Sequence, residues 1–503
     1  MRVRLVLGVI GFFLRMFALA FVPPVLLAIA NAALGEAAWF PVLGFVAALS
    51  FTAGLGWLLS WRFERSPLLR RSEALGVVAG TWLFVASCGA IPYLFYGLDL
   101  VDAFFESMSG LTTTGATILT DFGQHDRAFY LWRAMTQWFG GLGVIALFVV
   151  ILPRLGIAGR QIFFAEASSA SGDGVSPQVR DSARRLWILY TGLTLLEAAL
   201  LLATGMSLYD AVVHSLTTMS AGGFSPHPRS IEGYANAGAE WVFIVFMVLS
   251  GTSFTLQYRA FTKKPLALVQ DGEFRVYFLG MLGLTLLAAA LLTGGMPSLD
   301  SVRTGAFQIA SLASSTGYAS VDFDGWGQSL KMVLLLAMVL GGCAGSACGG
   351  AKVIRYIITA KVFRRELTQV LHPTAVIPIR YKGVPIPSQV LRAVTTLVVL
   401  YIVGYGLTGA IVVLVEPEVD ILTGFTASLA CLGNIGPGFG SVGPMGTYAG
   451  LSDFTKTLLA IAMWVGRLEI VTVIALLHPD VWKNMQWGAR RPGRVDATTG
   501  RAR

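Results

Sequence analysis

The chain has 503 residues, of which 55% are hydrophobic and 13% charged, and it carries a net charge of +9 at pH 7. Its mean hydropathy of +0.69 means more apolar side chain than a soluble fold of this size can bury, because surface does not shrink fast enough relative to volume. The surplus Lys and Arg lie in short links between apolar runs rather than on one soluble face, which excludes a nucleic-acid-binding reading.

Apolar runs of spanning length occur at 4–33, 38–61, 74–96, 129–153, 185–204, 240–262, 275–294, 330–360, 388–415 and 454–477. Each approaches the roughly 20 residues that a bilayer core requires, so ten spans are expected. The first run starts on a basic stretch and contains Ala28-Ile29-Ala30-Asn31-Ala32, which resembles a cleavable signal. Arg15 interrupts it and the apolar stretch outlasts a signal's core, so it reads as a retained membrane helix. The 57 glycines suit a bundle in which backbones approach closely. Cys88, Cys343, Cys348 and Cys431 form no CxxC pair and read as small packing residues.

The links after the second, fourth, sixth and eighth spans are basic, with Arg62, Arg65, Arg70 and Arg71, then Arg154, Arg160, Arg180, Arg184 and Arg185, then Arg259, Lys263, Lys264 and Arg275, then Lys361, Arg364, Arg365, Arg380 and Lys382. The alternate links are poor in Lys and Arg. By the positive-inside rule both termini are cytoplasmic and the alternate links face outward.

Those outward links each hold a stretch of about a dozen residues, too short to cross and running into Ser, Thr and Gly, which reads as a re-entrant helix. The four are copies of one another: AFFESMSGLTTTGAT at 103–117, AVVHSLTTMSAGGFS at 211–225, GAFQIASLASSTGYA at 305–319 and GFTASLACLGNIGPG at 424–438. Aligned without gaps, they place Gly115, Gly223, Gly317 and Gly436 in one column, and Ser107, Ser215 and Ser428 in another that fails only at Ile309. Internal repetition of this kind implies one supersecondary unit used four times. The chain then divides into two leading helices (1–66), four repeats (67–165, 166–265, 266–382 and 383–480) and a basic cytoplasmic tail (481–503). The expected fold is an all-α polytopic membrane protein with four pseudo-symmetric helix–pore loop–helix repeats around a central pore, preceded by two transmembrane helices.

A dehydrated cation needs oxygens in place of its water shell, and helical carbonyls are already bonded, so a filter must be irregular backbone enclosed in protein. Glycine suits such a segment because it accepts φ > 0 and leaves the axis clear. The candidate cation-coordinating pieces are Thr113-Thr114-Gly115, Ala221-Gly222-Gly223, Ser315-Thr316-Gly317 and Asn434-Ile435-Gly436. One such loop alone is an ordinary turn; four in register point to a ring. Below them, the Gly-rich run 341–350 interrupts the eighth span, since each Gly costs a helix about 1 kcal/mol, although a Gly-rich packing surface is an alternative. Arg467 sits within the last span, where a guanidinium is costly unless it faces water or a partner; a structural ion pair with Glu469 or Glu197 is the competing role. His125, His214, His227, His372 and His478 are expected at loop or span ends, with no buried acidic relay.

These pieces, with WRAMTQWFGGLGVIALFVVILPRLG (132–156), GGCAGSACGGAKVIRY (341–356) and GRLEI (466–470), resemble the Trk/Ktr/HKT superfamily of potassium transporters over nearly the whole chain, most closely the bacterial TrkH/TrkG pore-forming subunits. The two leading spans favour Trk over Ktr. The resemblance implies K⁺ as the transported ion and no cofactor, with Gly345 and Ser346 in a gating loop and Arg467 as a pore-facing barrier. It also implies an inner-membrane homodimer and a cytosolic ring of TrkA-type nucleotide-binding subunits; the chain itself holds no nucleotide motif. In this superfamily Gly in all four columns goes with potassium, whereas Ser in the first marks sodium-preferring plant relatives. Ala221, where bacterial Trk proteins often have Thr, and the Thr-free fourth piece leave the strictness of K⁺ over Na⁺ open, as is the choice between channel and proton- or sodium-coupled symport. Against a broken-helix secondary transporter for sodium or another small solute stands the count of four repeats rather than two. Against a membrane enzyme stands the scatter of the outward carboxylates.

Overall fold

The computed structural model describes residues 2–62, 69–146 and 177–483. The expected boundaries at 66/67 and 165/166, the links carrying Arg65, Arg154 and Arg160, the end of the fourth span and the tail beyond 483 lie outside the described residues.

Helix dominates, and among the described residues strand is confined to one hairpin of two-residue strands, Arg380–Tyr381 against Val384–Pro385. The first apolar run is α1 (Val3–Ala18) and α2 (Val22–Ala33), joined by a 3₁₀ turn. Pro23 and Pro24 fall in the first turn of α2, where a missing N–H costs nothing. After α3 (Phe40–Arg62) comes a pattern repeated four times. A span leads into a short helix and then into a second span: α4 (Arg71–Phe95), α5 (Leu100–Leu111), α6 (Arg127–Ala146). Next come α7 (Pro177–Ala203), α8 (Leu208–Met219) and the pair α9 (Ala237–Ser250) and α10 (Phe254–Thr262). The third copy is α11 (Gly272–Thr293), α12 (Leu299–Ala313) and the pair α13 (Gln328–Leu340) and α14 (Val353–Leu371). The fourth is α15 (Ser388–Val415), α16 (Ile421–Leu432) and the pair α17 (Asp453–Leu468) and α18 (Ile470–Leu477).

Among the described residues six of these runs are long and apolar enough to cross a membrane, and two bent pairs, α9/α10 at 105° and α17/α18 at 106°, are so when each pair is counted as one span. The remaining two of the ten expected spans are α6 and the α13/α14 pair, which the Gly-rich segment separates. Large apolar side chains remain exposed along the outer helices, including Leu195, Leu279, Ile402 and Leu414, which is the pattern of a bundle whose solvent is lipid. The sixth and last expected spans are each bent rather than straight. At the first, the freed backbone groups are taken up by the Gly-rich segment: Cys343 N–H donates to Gly251 O (2.8 Å), Phe254 N–H to Gly345 O (3.1 Å) and Ala347 N–H to Ser250 O (3.2 Å). At the second, Glu469 adopts φ +65°.

Small residues set the closest approaches. α1 crosses α3 at Gly11 and Gly56; a Cβ on Gly11 would lie 2.7 Å from the Cβ of Leu59, and one on Gly56 2.8 Å from the backbone of Arg15. Overpacking such a crossing costs about 1–3 kcal/mol. Gly56→Leu is therefore expected to lower the thermal unfolding temperature of detergent-purified protein, as followed by size-exclusion chromatography, whereas Gly54→Leu, at a position with open space around it, leaves it unchanged.

Candidate ion pore

All four short helices are built alike. Each starts on a polar N-cap whose side chain accepts a backbone N–H three residues on: Asp99 from Asp102 (2.8 Å), Ser207 from Asp210 (3.1 Å), Ser298 from Ser301 (3.1 Å) and Asp420 from Thr423 (3.2 Å). Each ends in a left-handed C-terminal turn. Thr114, Gly222, Thr316 and Ile435 donate their N–H five residues back, to Ser109, Thr217, Ser311 and Ala430, at 2.8–2.9 Å. The residue before each closes a tighter bond three residues back, which completes a Schellman motif. That preceding residue is Thr113 (φ +53°), Ala221 (+56°), Ser315 (+54°) or Asn434 (+52°) rather than the usual glycine. Left-handed φ costs a non-glycine residue about 1–2 kcal/mol, so the surroundings hold each turn in place.

Two residues later comes the aligned glycine, again at positive φ: Gly115 (+81°), Gly223 (+76°), Gly317 (+81°) and Gly436 (+101°). The four close a ring in chain order. A Cβ on Gly115 would strike the carbonyl of Gly222; on Gly223, that of Thr316; on Gly317, that of Ile435; and on Gly436, that of Thr114. Each turn thus abuts the next, and the fourth returns to the first. All four glycines line a single open cavity, with Thr117, Phe224, His227, Pro437 and Tyr448 among its walls.

Buttressing divides the ring into two kinds of turn. In the first and third copies a pair of hydroxyls braces the backbone, Thr112 with Thr114 (2.8 Å) and Ser314 with Thr316 (2.7 Å). The second copy has Gly222 there and borrows Gln137 from α6, whose Nε2 donates to Gly222 O (2.7 Å) and whose Oε1 accepts from Phe224 N–H (3.0 Å). The fourth has Ile435, and its neighbour Asn434 donates to Thr114 Oγ1 and to Met463 O, both at 2.9 Å. Tyr448 adds a hydrogen bond to Gly436 O (2.8 Å).

The strands leaving the turns are tied to one another around the cavity. Arg133 Nη1 donates to Ser225 O (3.2 Å), Glu232 N–H to Ala319 O (3.1 Å), Gly440 N–H to Asp324 Oδ1 (2.9 Å) and Tyr448 N–H to Thr117 O (2.8 Å). Burial alone would push Asp324 up, yet the Gly440 N–H and the Lys331 ammonium hold it below the usual carboxylate range. Burial, and then the Arg229 guanidinium, hold His227 below the usual imidazole range. Arg133 itself is buried, paired with Glu106 at 2.7 Å and stacked 3.9 Å over the ring of Phe224.

On the other side of the ring the Gly-rich segment replaces helix between Leu340 and Val353. Gly349 N–H donates to Ser315 Oγ (2.9 Å) and the Cys348 thiol to Ser314 O (2.7 Å), so the segment lies against the third turn. A Cβ on Gly349 would also meet Asn434 of the fourth. Gly345 takes φ +76°, and Ser346 is fully buried with its hydroxyl on Cys343 O (2.6 Å). Arg467 closes α17 at the bend rather than standing mid-span. Its Nη1 donates to Ala347 O (2.8 Å) and its Nη2 to Gly140 O (3.1 Å), joining the segment to α6. It makes no ion pair with Glu469 or Glu197 among the described residues, because Glu469 is taken by Arg355 and both Glu197 oxygens lack a hydrogen-bond partner.

His214 corrects a further expectation: it lies inside α8, fully buried, rather than at a loop end. Arg133, Glu106, Gln137 and Tyr448 are functional-site neighbours that the sequence did not single out. Arg133 carried the one available signal, a charge within an otherwise apolar run. Among the described residues no three His, Cys, Asp or Glu side chains converge as metal ligands.

Comparison with known proteins agrees with this fold. Residues 42–483 match the model of the TrkH family, described as cation transport proteins. The Trk system potassium uptake protein TrkH of Halomonas elongata is 35% identical over 492 residues, covering 96% of this chain and all of that protein. TrkG of Escherichia coli K12 is 33% identical over 96% of this chain and 99% of its own length. The crystal structure of the potassium transporter TrkH from Vibrio parahaemolyticus superposes with a TM-score of 0.85 at 31% identity, over 96% of this chain and all of that one. A match of this extent to cation transport proteins makes the chain a transport protein rather than an enzyme. The chain belongs to the TrkH family of cation transport proteins.

Removing one partner of the buried Glu106–Arg133 pair leaves an uncompensated charge, at a cost of about 3–5 kcal/mol. Arg133→Met is expected to abolish recovery of monodisperse protein. Glu106→Gln combined with Arg133→Met should restore a substantial fraction, and equal loss in both would show that the ion pair is not the reason.

Proposed function

We propose that this chain carries potassium inward across the bacterial inner membrane, with the four-turn ring as its selectivity filter. The observation that carries the reading is the cyclic contact of glycine on carbonyl, Gly115 to Gly222, Gly223 to Thr316, Gly317 to Ile435 and Gly436 to Thr114. A ring that narrow leaves only main-chain and hydroxyl oxygens to replace a cation's water shell. Thr113, Thr114, Ala221, Gly222, Ser315, Thr316, Asn434 and Ile435 supply that backbone, and the four glycines keep it open. Each short helix directs the negative end of its dipole toward the ring, which favours a cation there. The potassium uptake named for the relatives supports the choice of ion.

In this reading the basic links and both termini are cytoplasmic, and the cavity opens outward. The Gly-rich segment, through Gly345 and Ser346, closes the pathway beneath the ring. Arg467 latches it by way of Ala347 O and places a positive charge on the cytoplasmic route. Opening requires those hydrogen bonds to break, together with the bonds from the segment to the bent sixth span. The family resemblance supports a homodimer and a cytosolic ring of nucleotide-binding subunits docked on the basic links, which would supply the work of opening.

Two substitutions test the assignment in a host lacking its own potassium uptake. Gly115→Ser puts a Cβ into the Gly222 carbonyl at a φ that disfavours it, and should reduce K⁺ uptake at least about tenfold or admit Na⁺; wild-type uptake and selectivity would refute the filter. Arg467→Ala removes the latch and should raise cation flux in vesicles, and unchanged flux in a well-folded variant counts against the gate.

A further inference from the structure

The fourth column of the aligned copies holds Glu106, His214, Gln308 and Ala427, which share no charge or shape. Three of them nevertheless do one job. Each reaches from the short helix to the strand that leaves the glycine of the same copy. Glu106 accepts from the Thr117 hydroxyl and the Ile118 N–H, both at 3.1 Å. The Nδ1 of His214 lies 2.8 Å from Asp210 O. A carbonyl only accepts, so Nδ1 carries the proton, Nε2 is the acceptor, and the Ser225 hydroxyl donates to it at 3.1 Å. Gln308 Nε2 donates to Ser320 Oγ at 3.0 Å. Ala427 has no polar group, and the preceding Thr426 takes over, its Oγ1 accepting Phe439 N–H at 3.0 Å. Glu106, His214 and Gln308 are each 0% exposed and Thr426 2%.

We propose that these four buckles fix the glycines on the ring, which makes Glu106, His214, Gln308 and Thr426 positioning residues for ion selectivity. The proposal rests on the filter reading above. Between helix end and buckle each copy runs through a strained left-handed residue and a glycine, the two least self-supporting positions of the chain. A tie just beyond them turns an open strand into a closed loop of fixed size. The first and second buckles are also joined, because Arg133 donates to both Thr117 Oγ1 and Ser225 O, each at 3.2 Å. A shift in one is thereby passed to its neighbour. None of the four side chains needs to touch the ion.

The test is the ratio of K⁺ to Na⁺ flux into vesicles containing full-length purified protein. His214→Ala should lower that ratio about five- to tenfold, the scale set by one buried neutral hydrogen bond, and His214→Gln, which uses the chemistry of the third copy, should restore it. Ser225→Ala and Ser320→Ala remove the far end of two buckles at the cost of one oxygen each, and should lower the ratio even if His214→Ala does not fold. Retention of the wild-type ratio by folded Ser225→Ala and Ser320→Ala overturns the proposal. Gly115→Ser in the same vesicles separates the two levels. If it alters the ratio while the buckle variants do not, only the buckles fail; if none alters it, the filter reading fails as well.

Discussion

Backbone that leaves the helix inside a membrane must find a partner for every N–H and C=O, because no water is present to supply one. In this chain each turn meets part of that requirement within itself, through the Schellman bonds at its helix end, draws further support from neighbouring elements, and presses its glycine against a carbonyl of the next copy. The contact leaves no room for a side chain, and it recurs four times until it closes. Much of the rest of the bundle serves it. Gly140 and Gly466, on the spans that follow the first and fourth turns, let those helices approach the ends of the short helices so closely that a Cβ would strike the carbonyls of Leu111 and Leu432.

Fourfold architecture is thus carried by backbone, while side chains around it follow different solutions. Opposite turns share a hydroxyl pair in the first and third copies, whereas the second is braced from outside by Gln137 and the fourth by Tyr448 and by the outward bonds of its own Asn434. Left-handed residues of four different types are tolerated at one position because the helix end, the brace and the neighbouring turn together over-determine it. Asn434 alone is of a type that favours that conformation.

The Gly-rich segment obeys the same rule on the other face of the ring. It cannot be helical, so its polar groups are shared with the bend of the sixth span, with Arg467 at the bend of the last span and with the base of the third turn. The bend of the sixth span therefore belongs with the segment, whose backbone takes up its freed groups. In the proposed gating, a displacement of the segment would orphan backbone groups at the sixth span and take Ala347 O from Arg467 at once.

Membrane insertion, the fourfold repeat, the re-entrant helices, the glycine column and the break at 341–350 were all legible in the amino-acid sequence, because each is a local matter of hydropathy, length or glycine content. The Trk resemblance rested instead on particular motifs, the filter pieces with 132–156, 341–356 and 466–470. What no local pattern could show is who holds whom. The bend at 251–253 depends on carbonyl and N–H partners in the Gly-rich segment, far along the chain, and nothing in Glu469, whose side chain pairs with Arg355, itself breaks a helix. The sequence likewise left Arg467 between an ion pair and a pore-facing charge; its hydrogen bonds to Ala347 O and Gly140 O, with Glu469 given to Arg355, came only from the fold. Pairing of polar groups inside a membrane is settled by proximity in three dimensions, and proximity is what tertiary structure alone decides.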